Sequence, residues 1–309
     1  MAHLMLKQIR SVLTQLKPGE VRARAERPVR ILVRTASPVS AEAVESFLLP
    51  AGLTAGRRAQ AAALLTRESE AAQGSRFHLV LYETGLEPPE GWQRGQDAFE
   101  FDPRNPQALV ADVVSARDEF SLALARRFAP FRQTVTRGVI HRIASENALF
   151  AIVSALPNLV PSLAEIPWAF GEFASDTAVL TANQVRMAFL LAAASDRPVG
   201  YAEQRNEIGS IVAGAFGWRS LAREFAGKIP FGGGLIPKAA IAYAGTWTAG
   251  VSLERVYRIG YGMTRKERKA AWDEAFVKGR EIASQLVARV RRQDKSGQLA
   301  GESKMEESV

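Results

Sequence analysis

Two periodicities divide the chain. Up to about Phe131, short apolar runs alternate with segments of helical spacing. Val29–Val33 (VRILV), set off by Pro28, predicts a buried strand, as do Phe77–Tyr82 (FHLVLY) and Ala98–Phe101 (AFEF). Between the first two, Ala43, Val44, Phe47 and Leu48 fall on one helical face behind Ser40 as N-cap. Asn105-Pro106 offers an N-cap and a first-turn proline for a helix carrying Leu109, Val113, Phe120, Leu124 and Phe128. This order predicts a small α/β layer with about three parallel strands.

From about Val135 the strand signals stop. An apolar run from Ala148 to Phe170 is broken by Pro157, Pro161 and Pro167. The segment 176–196 predicts a strong helix, with Thr181 and Gln184 spaced as a capping box near its start or middle. A second helical segment ends at Gly227 as C-cap. Thr264 and Glu267 form another capping-box pattern ahead of a helix with Ala271, Ala275, Ile282, Leu286 and Val290. The predicted fold class is therefore α+β, a small α/β layer followed by a mostly helical domain. The boundaries read as an N-terminal helix and linker (1–27), an α/β domain (28–133), an all-helical domain (134–293) and a disordered tail (294–309).

Composition adds limits. With 309 residues, 47% hydrophobic and 23% charged, a packed core is affordable. The absence of cysteine removes disulfides and thiolate chemistry. The residues from Met1 to Arg34 lack the apolar core of a secretory signal, so the bulk of the chain is expected in the cytosol. His3, His78 and His141 are far apart in sequence, which argues against a histidine metal site. The net charge of +8 suits solvated helix faces or anionic headgroups, and no nucleic-acid-binding signature accompanies it.

The α/β layer lacks the devices of a nucleotide site. After the first strand the loop reads RTASPVSAEA, without the glycines and lysine that wrap a phosphate. After the second, LYETG places Tyr82 in the aspartate position before Gly85, with Glu83 one residue late. No Asn-Lys-x-Asp motif occurs. Catalytic, cofactor and metal residues are accordingly assigned to none, with Glu83, Glu165 and Lys238 kept for an alternative enzymatic reading.

The glycine triplet Gly232-Gly233-Gly234, with Pro237 following, poses the sharper question. It fails as a dinucleotide fingerprint, because no strand precedes it and Pro237 stands where close packing is needed. It fits the bend of an apolar helical hairpin with arms Ile208–Ala226 and Pro237–Tyr257. Ala239–Leu253 carries no charge, and Ala242, Gly245, Ala249 and Gly250 permit close helix approach. Lys238, Arg255 and Arg258 flank the stretch and could contact an anion or lipid headgroup. Glu165 is a candidate buried polar group.

Residues of this half carry a resemblance. The helix with Gln184 and Met187, the turn Ile229-Pro230 to Gly232-Gly233-Gly234 to Ile236-Pro237-Lys238, and Ala240–Trp247 (AIAYAGTW) resemble the YcjF-like family of GTPase-associated domains. The likeness covers roughly Ala148 to Leu286. It implies a helical domain that occurs after Era-like GTPase domains and in bacterial inner-membrane proteins, with no catalytic residues to transfer. The N-terminal half is similar to a degenerate Era-like GTPase layer. The resulting expectation is a non-enzymatic module on the cytoplasmic side of the bacterial inner membrane, with lipid, a GTPase, another protein or a second copy as partner. The alternatives are a soluble enzyme or divergent nucleotide-binding protein in the cytoplasm, and, less favoured, a basic nucleic-acid scaffold.

Overall fold

A computed structural model describes residues 2–155, 176–214 and 234–306. The fold is α+β, a small parallel sheet near the N-terminus joined to a helical C-terminal part. Contacts divide the chain into two units. One holds residues 17–139 and 189–203; the other holds 1–16, 140–188 and 204–309. This differs from the boundaries read in sequence. The expected N-terminal segment is two helices, α1 (Ala2–Leu13) and α2 (Pro18–Glu26), and they fall in different units. Residues 189–203 belong with the sheet.

In the α/β unit four strands, rather than about three, lie in the order β2-β1-β3-β4: β1 (Ile31–Arg34), β2 (Leu65–Arg67), β3 (Leu79–Glu83) and β4 (Ala98–Phe101). All pairs are parallel, with Ile31 opposite Leu65 and Leu79, and Val80 opposite Ala98. Consecutive residues of β1 and β3 are buried, as expected of strands covered on both faces. β2 escaped the sequence reading because it is a three-residue edge strand of only half-buried residues.

Helix α3 (Pro38–Leu48) starts earlier than expected. Ser37, not Ser40, is its N-cap, and Pro38 takes the first turn. Ala41, Val44 and Leu48 face the core, whereas Ala43 is exposed. Helix α4 (Ala55–Ala62) precedes β2. The single helix expected to run to Phe128 is two, α5 (Pro106–Ala116) and α6 (Asp118–Arg127). The break falls at Arg117, whose backbone leaves helical values (φ −129°, ψ 55°), and Asp118 and Glu119 then favour a new N-terminus.

The helical unit is built on α7 (Ala129–Val153), α8 (Asp176–Ala194), α9 (Leu235–Ile259) and α10 (Arg265–Glu306). Helices α7 and α8 begin or end in the α/β unit. A helical segment over 205–214 adds Val212 to a cluster of Ile9, Val12, Ala178 and Ala182. Backbone helicity persists to Glu306 where a disordered tail was expected from 294, because Gln, Leu, Ala, Glu and Met in that segment are good helix formers.

Among the described residues α9 packs along α10, and the turn between them is at Gly260; the bend expected at the glycine triplet lies outside the described residues. Gly260 ends α9 in the left-handed region (φ +87°), its N–H bonding Val256 O. Thr264 and Glu267 then open α10 as the expected capping box: Thr264 N–H donates to Glu267 Oε2 at 2.8 Å and Glu267 N–H to Thr264 Oγ1 at 3.3 Å. Small residues set the helix spacing. A Cβ on Gly279 would stand 3.0 Å from the Ala240 carbonyl oxygen, and one on Gly250 2.8 Å from Ile140 Cγ1 and 2.9 Å from Met187 Sδ. Gly250→Val is expected to lower stability by about 1–3 kcal/mol through overpacking, read from urea unfolding monitored by circular dichroism.

Candidate functional site

In an open parallel sheet, ligands bind beyond the carboxyl ends of the strands where the strand order reverses. Here that point lies between β1 and β3. Its donors are already used. Ser37 Oγ accepts the Ser40 N–H at 3.1 Å, and Pro38 offers no N–H. The Ala36 N–H donates to Glu83 Oε2 at 2.8 Å, and the Ser40 hydroxyl donates to Glu83 Oε1 at 2.7 Å. The Glu83 carboxylate thus stands at the mouth of the β1–α3 loop, where a nucleotide fold would hold phosphate. A phosphate there would meet like charge. Nearby cations are also paired, Arg34 with Glu68 at 3.1 Å and Arg67 with Glu45 at 2.7 and 2.9 Å. Tyr82, in the aspartate position, is fully buried with Leu32, Val80 and Ala98. It belongs to the core.

In the helical unit the polar groups lie between helices. Asn147 of α7, Asn183 and Gln184 of α8 and Thr246 of α9 are all buried. Asn183 Nδ2 donates to Asn147 Oδ1 at 2.8 Å, and Asn147 Nδ2 donates to Thr246 Oγ1 at 2.8 Å. Gln184 Nε2 reaches the same hydroxyl at 3.4 Å. Thr181, expected to cap, sits inside α8 and donates to Thr177 O at 2.6 Å. Its partner Gln184 serves the interhelical network instead. Glu146 and Arg186 pair across α7 and α8. Burial pushes the Glu146 carboxyl up, against the pull of Arg186 and Arg142. Asn147, Asn183 and Thr246 carry no signal in sequence, since isolated Asn and Thr residues add nothing to hydrophobic periodicity.

At one pole of this unit three helix ends meet. Lys238 Nζ, in the first turn of α9, donates to Asp176 Oδ2 at 3.1 Å and to Ser154 Oγ at 3.2 Å, and Ser154 Oγ donates to Asp176 Oδ2 at 3.1 Å. Val212 packs on a cluster that includes Ala178, two residues further along α8. Asp176 pairs with Lys238, and Arg186 with Glu146.

The remaining expected residues fall as follows. Gly234 is the N-cap of α9 with φ −64°, a conformation open to any residue, and α9 starts at Leu235, so Pro237 is its third residue. Gly232, Gly233, Glu165 and most of the first expected hairpin arm lie outside the described residues. Arg255 pairs with Glu267 at 2.7 Å and Arg258 with Glu254 at 2.9 Å. Among the described residues one helix, α8, is long and apolar enough to cross a bilayer, and 83% of its apolar window is buried within the protein. No three His, Asp or Glu side chains gather as a metal-holding group among those residues.

Compared with protein-family models, curated proteins and solved structures, the chain finds no match.

Two outcomes test this geometry. Glu83→Ala removes the acceptor of the exposed Ala36 N–H and of the Ser40 hydroxyl, and with water able to replace it at Ala36 the expected cost is about 0.5–1.5 kcal/mol, measured by thermal or urea unfolding. The Glu267 carboxyl is held down to about 2 by the Thr264 N–H, Arg255 and the Thr264 hydroxyl. Its folded value lies below its unfolded one, so its contribution is complete above about pH 4.5 and fades as pH falls toward 2. Glu267→Gln is expected to flatten that part of the stability–pH curve.

Proposed function

We propose that the protein is a non-enzymatic accessory module whose helical unit attaches to the cytoplasmic side of a bacterial inner membrane, working beside a GTPase. One observation carries the reading. The described residues that border the two proline- and glycine-containing segments 156–175 and 215–233 gather at a single pole. Ser154, Asp176 and Lys238 hydrogen-bond there, and Val212 packs on the cluster that includes Ala178. Both segments therefore leave from and return to one end of a compact helical support, an arrangement that lets them engage an apolar phase together. The resemblance to the YcjF-like family points the same way. The occupied loop between β1 and α3 supports a scaffold role for the α/β unit, because Glu83 takes up the donors that a triphosphate would need.

Flotation of the full-length protein with vesicles of phosphatidylglycerol and phosphatidylcholine tests the reading. The expected result is co-flotation that survives high salt and is lost when 156–175 and 215–233 are replaced by polar linkers. A protein that stays wholly in the soluble fraction at low salt, and purifies without detergent as a monodisperse particle, overturns it. Magnesium-dependent GTP or ATP binding in the micromolar range would favour the nucleotide-binding alternative instead.

A further inference from the structure

Three basic residues from separate places in the chain meet one ring near the start of the parallel strands, and a fourth, Arg30, adjoins them through its backbone. Phe120, in the first turn of α6, is 2% exposed. Arg27, just after α2, and Arg117, just before α6, hold their guanidinium carbons 4.8 and 4.5 Å from its ring centre. His78, just before β3, meets the same ring edge-on at 5.5 Å. Its Nδ1 accepts the backbone N–H of Arg30 at 3.0 Å, so the neutral imidazole carries its proton on Nε2. Burial, then the charges of Arg27, Arg30 and Arg117, hold His78 below its ordinary value. Glu119 binds Arg117 Nε at 2.6 Å and also feels the charge of Arg27. Neither Arg27 nor Arg30 has a carboxylate at ion-pair distance among the described residues.

We propose that Arg27, Arg30, His78 and Arg117 form an anion site that takes a phosphate group. Planar guanidiniums present paired N–H donors that match phosphate oxygens. The Phe120 face holds the Arg27 and Arg117 planes in place, so less side-chain freedom is lost on binding. His78 adds a donor that needs no charge. Lys17 is the only lysine in residues 17–139 and 189–203, so this unit carries its positive charge almost entirely on arginine, the better phosphate fork. The cluster contains an excess of cations that the fold leaves unneutralised, in contrast to the β1/β3 loop, where Glu83 is built in. The phosphate comes on a soluble anion or on a lipid headgroup. The site lies wholly in the α/β unit and does not depend on the membrane reading of the helical unit.

Isotope-labelled full-length protein titrated with inorganic phosphate, followed through the His78 imidazole resonances, tests the site. In parallel, co-sedimentation with phosphatidylglycerol vesicles tests the lipid source. The expected result is a saturable change at His78 and an upward move of its titration. Arg27→Gln combined with Arg30→Gln should weaken binding at least about tenfold, while Arg104→Gln, beyond β4, leaves it unchanged. A saturable phosphate response assigns a soluble anion; vesicle binding without it, lost in the double variant, assigns a headgroup. Should the double variant fail to fold by circular dichroism, the single Arg30→Gln carries the comparison. Three results overturn the proposal: no saturation with either probe, binding by the variant as tight as by the parent, or an equal loss in Arg104→Gln, which marks general charge screening.

Discussion

Close approach between helices is the constraint on which the helical unit depends. Gly250 lets α9 settle against Ile140 of α7 and Met187 of α8, and Gly279 lets α10 settle against the α9 backbone at Ala240. At such spacing few water molecules fit between helices, so any polar side chain in the seam needs a protein partner. The seam contains Asn147, Asn183, Gln184 and Thr246, and they bond one another across α7, α8 and α9. A slip of one helix by a turn would leave several buried amides unpaired. The network therefore fixes helix register, a role in which buried polar groups are best attested. The charged pair Glu146–Arg186 adds the same kind of restriction at the edge of the seam.

The α/β unit solves a different problem. A parallel sheet with a helix after β1 points backbone N–H groups at the space beyond the strand ends. Left open, that space attracts anions. In this chain Glu83 supplies the anion from within, and Ser37 and Ser40 complete the cap. The architecture of a ligand-binding layer is thus kept while its usual anion position is filled by a side chain.

Much of this was legible in sequence where local chemistry dictates structure. The alternation of short apolar runs placed β1, β3 and β4, and the Thr264–Glu267 spacing placed the start of α10 to the residue. What the pattern could not show were features settled by tertiary contact. Thr181 and Gln184 have capping-box spacing, yet they lie mid-helix, where buried Thr246 on α9 is the partner of Gln184. Gly260, whose φ of +87° a side chain would resist, turns α9 back along α10, yet as a single glycine it carries no compositional signal. The carboxylate that closes the β1–α3 loop sits 43 or more residues away in sequence, beyond any local signal.

The pole of the helical unit carries one oddity that refines its role. Lys238 occupies the first turn of α9, where the helix dipole disfavours a cation, while Asp176 opens α8, where an anion is favoured. Their 3.1 Å pair offsets the unfavourable placement and stitches the starts of α8 and α9 to Ser154 at the end of α7. Both side chains are close to half exposed, so the pair itself contributes at most about 1 kcal/mol. A lipid phosphate would have to displace Asp176 to reach this lysine, and Arg255 and Arg258 are likewise held by Glu267 and Glu254. On the membrane reading, then, these three cations serve as internal ties. The attraction to a bilayer then rests on the segments that the pole anchors, through apolar and aromatic residues such as Trp168, Phe170, Phe216 and Trp218, rather than on these three cations.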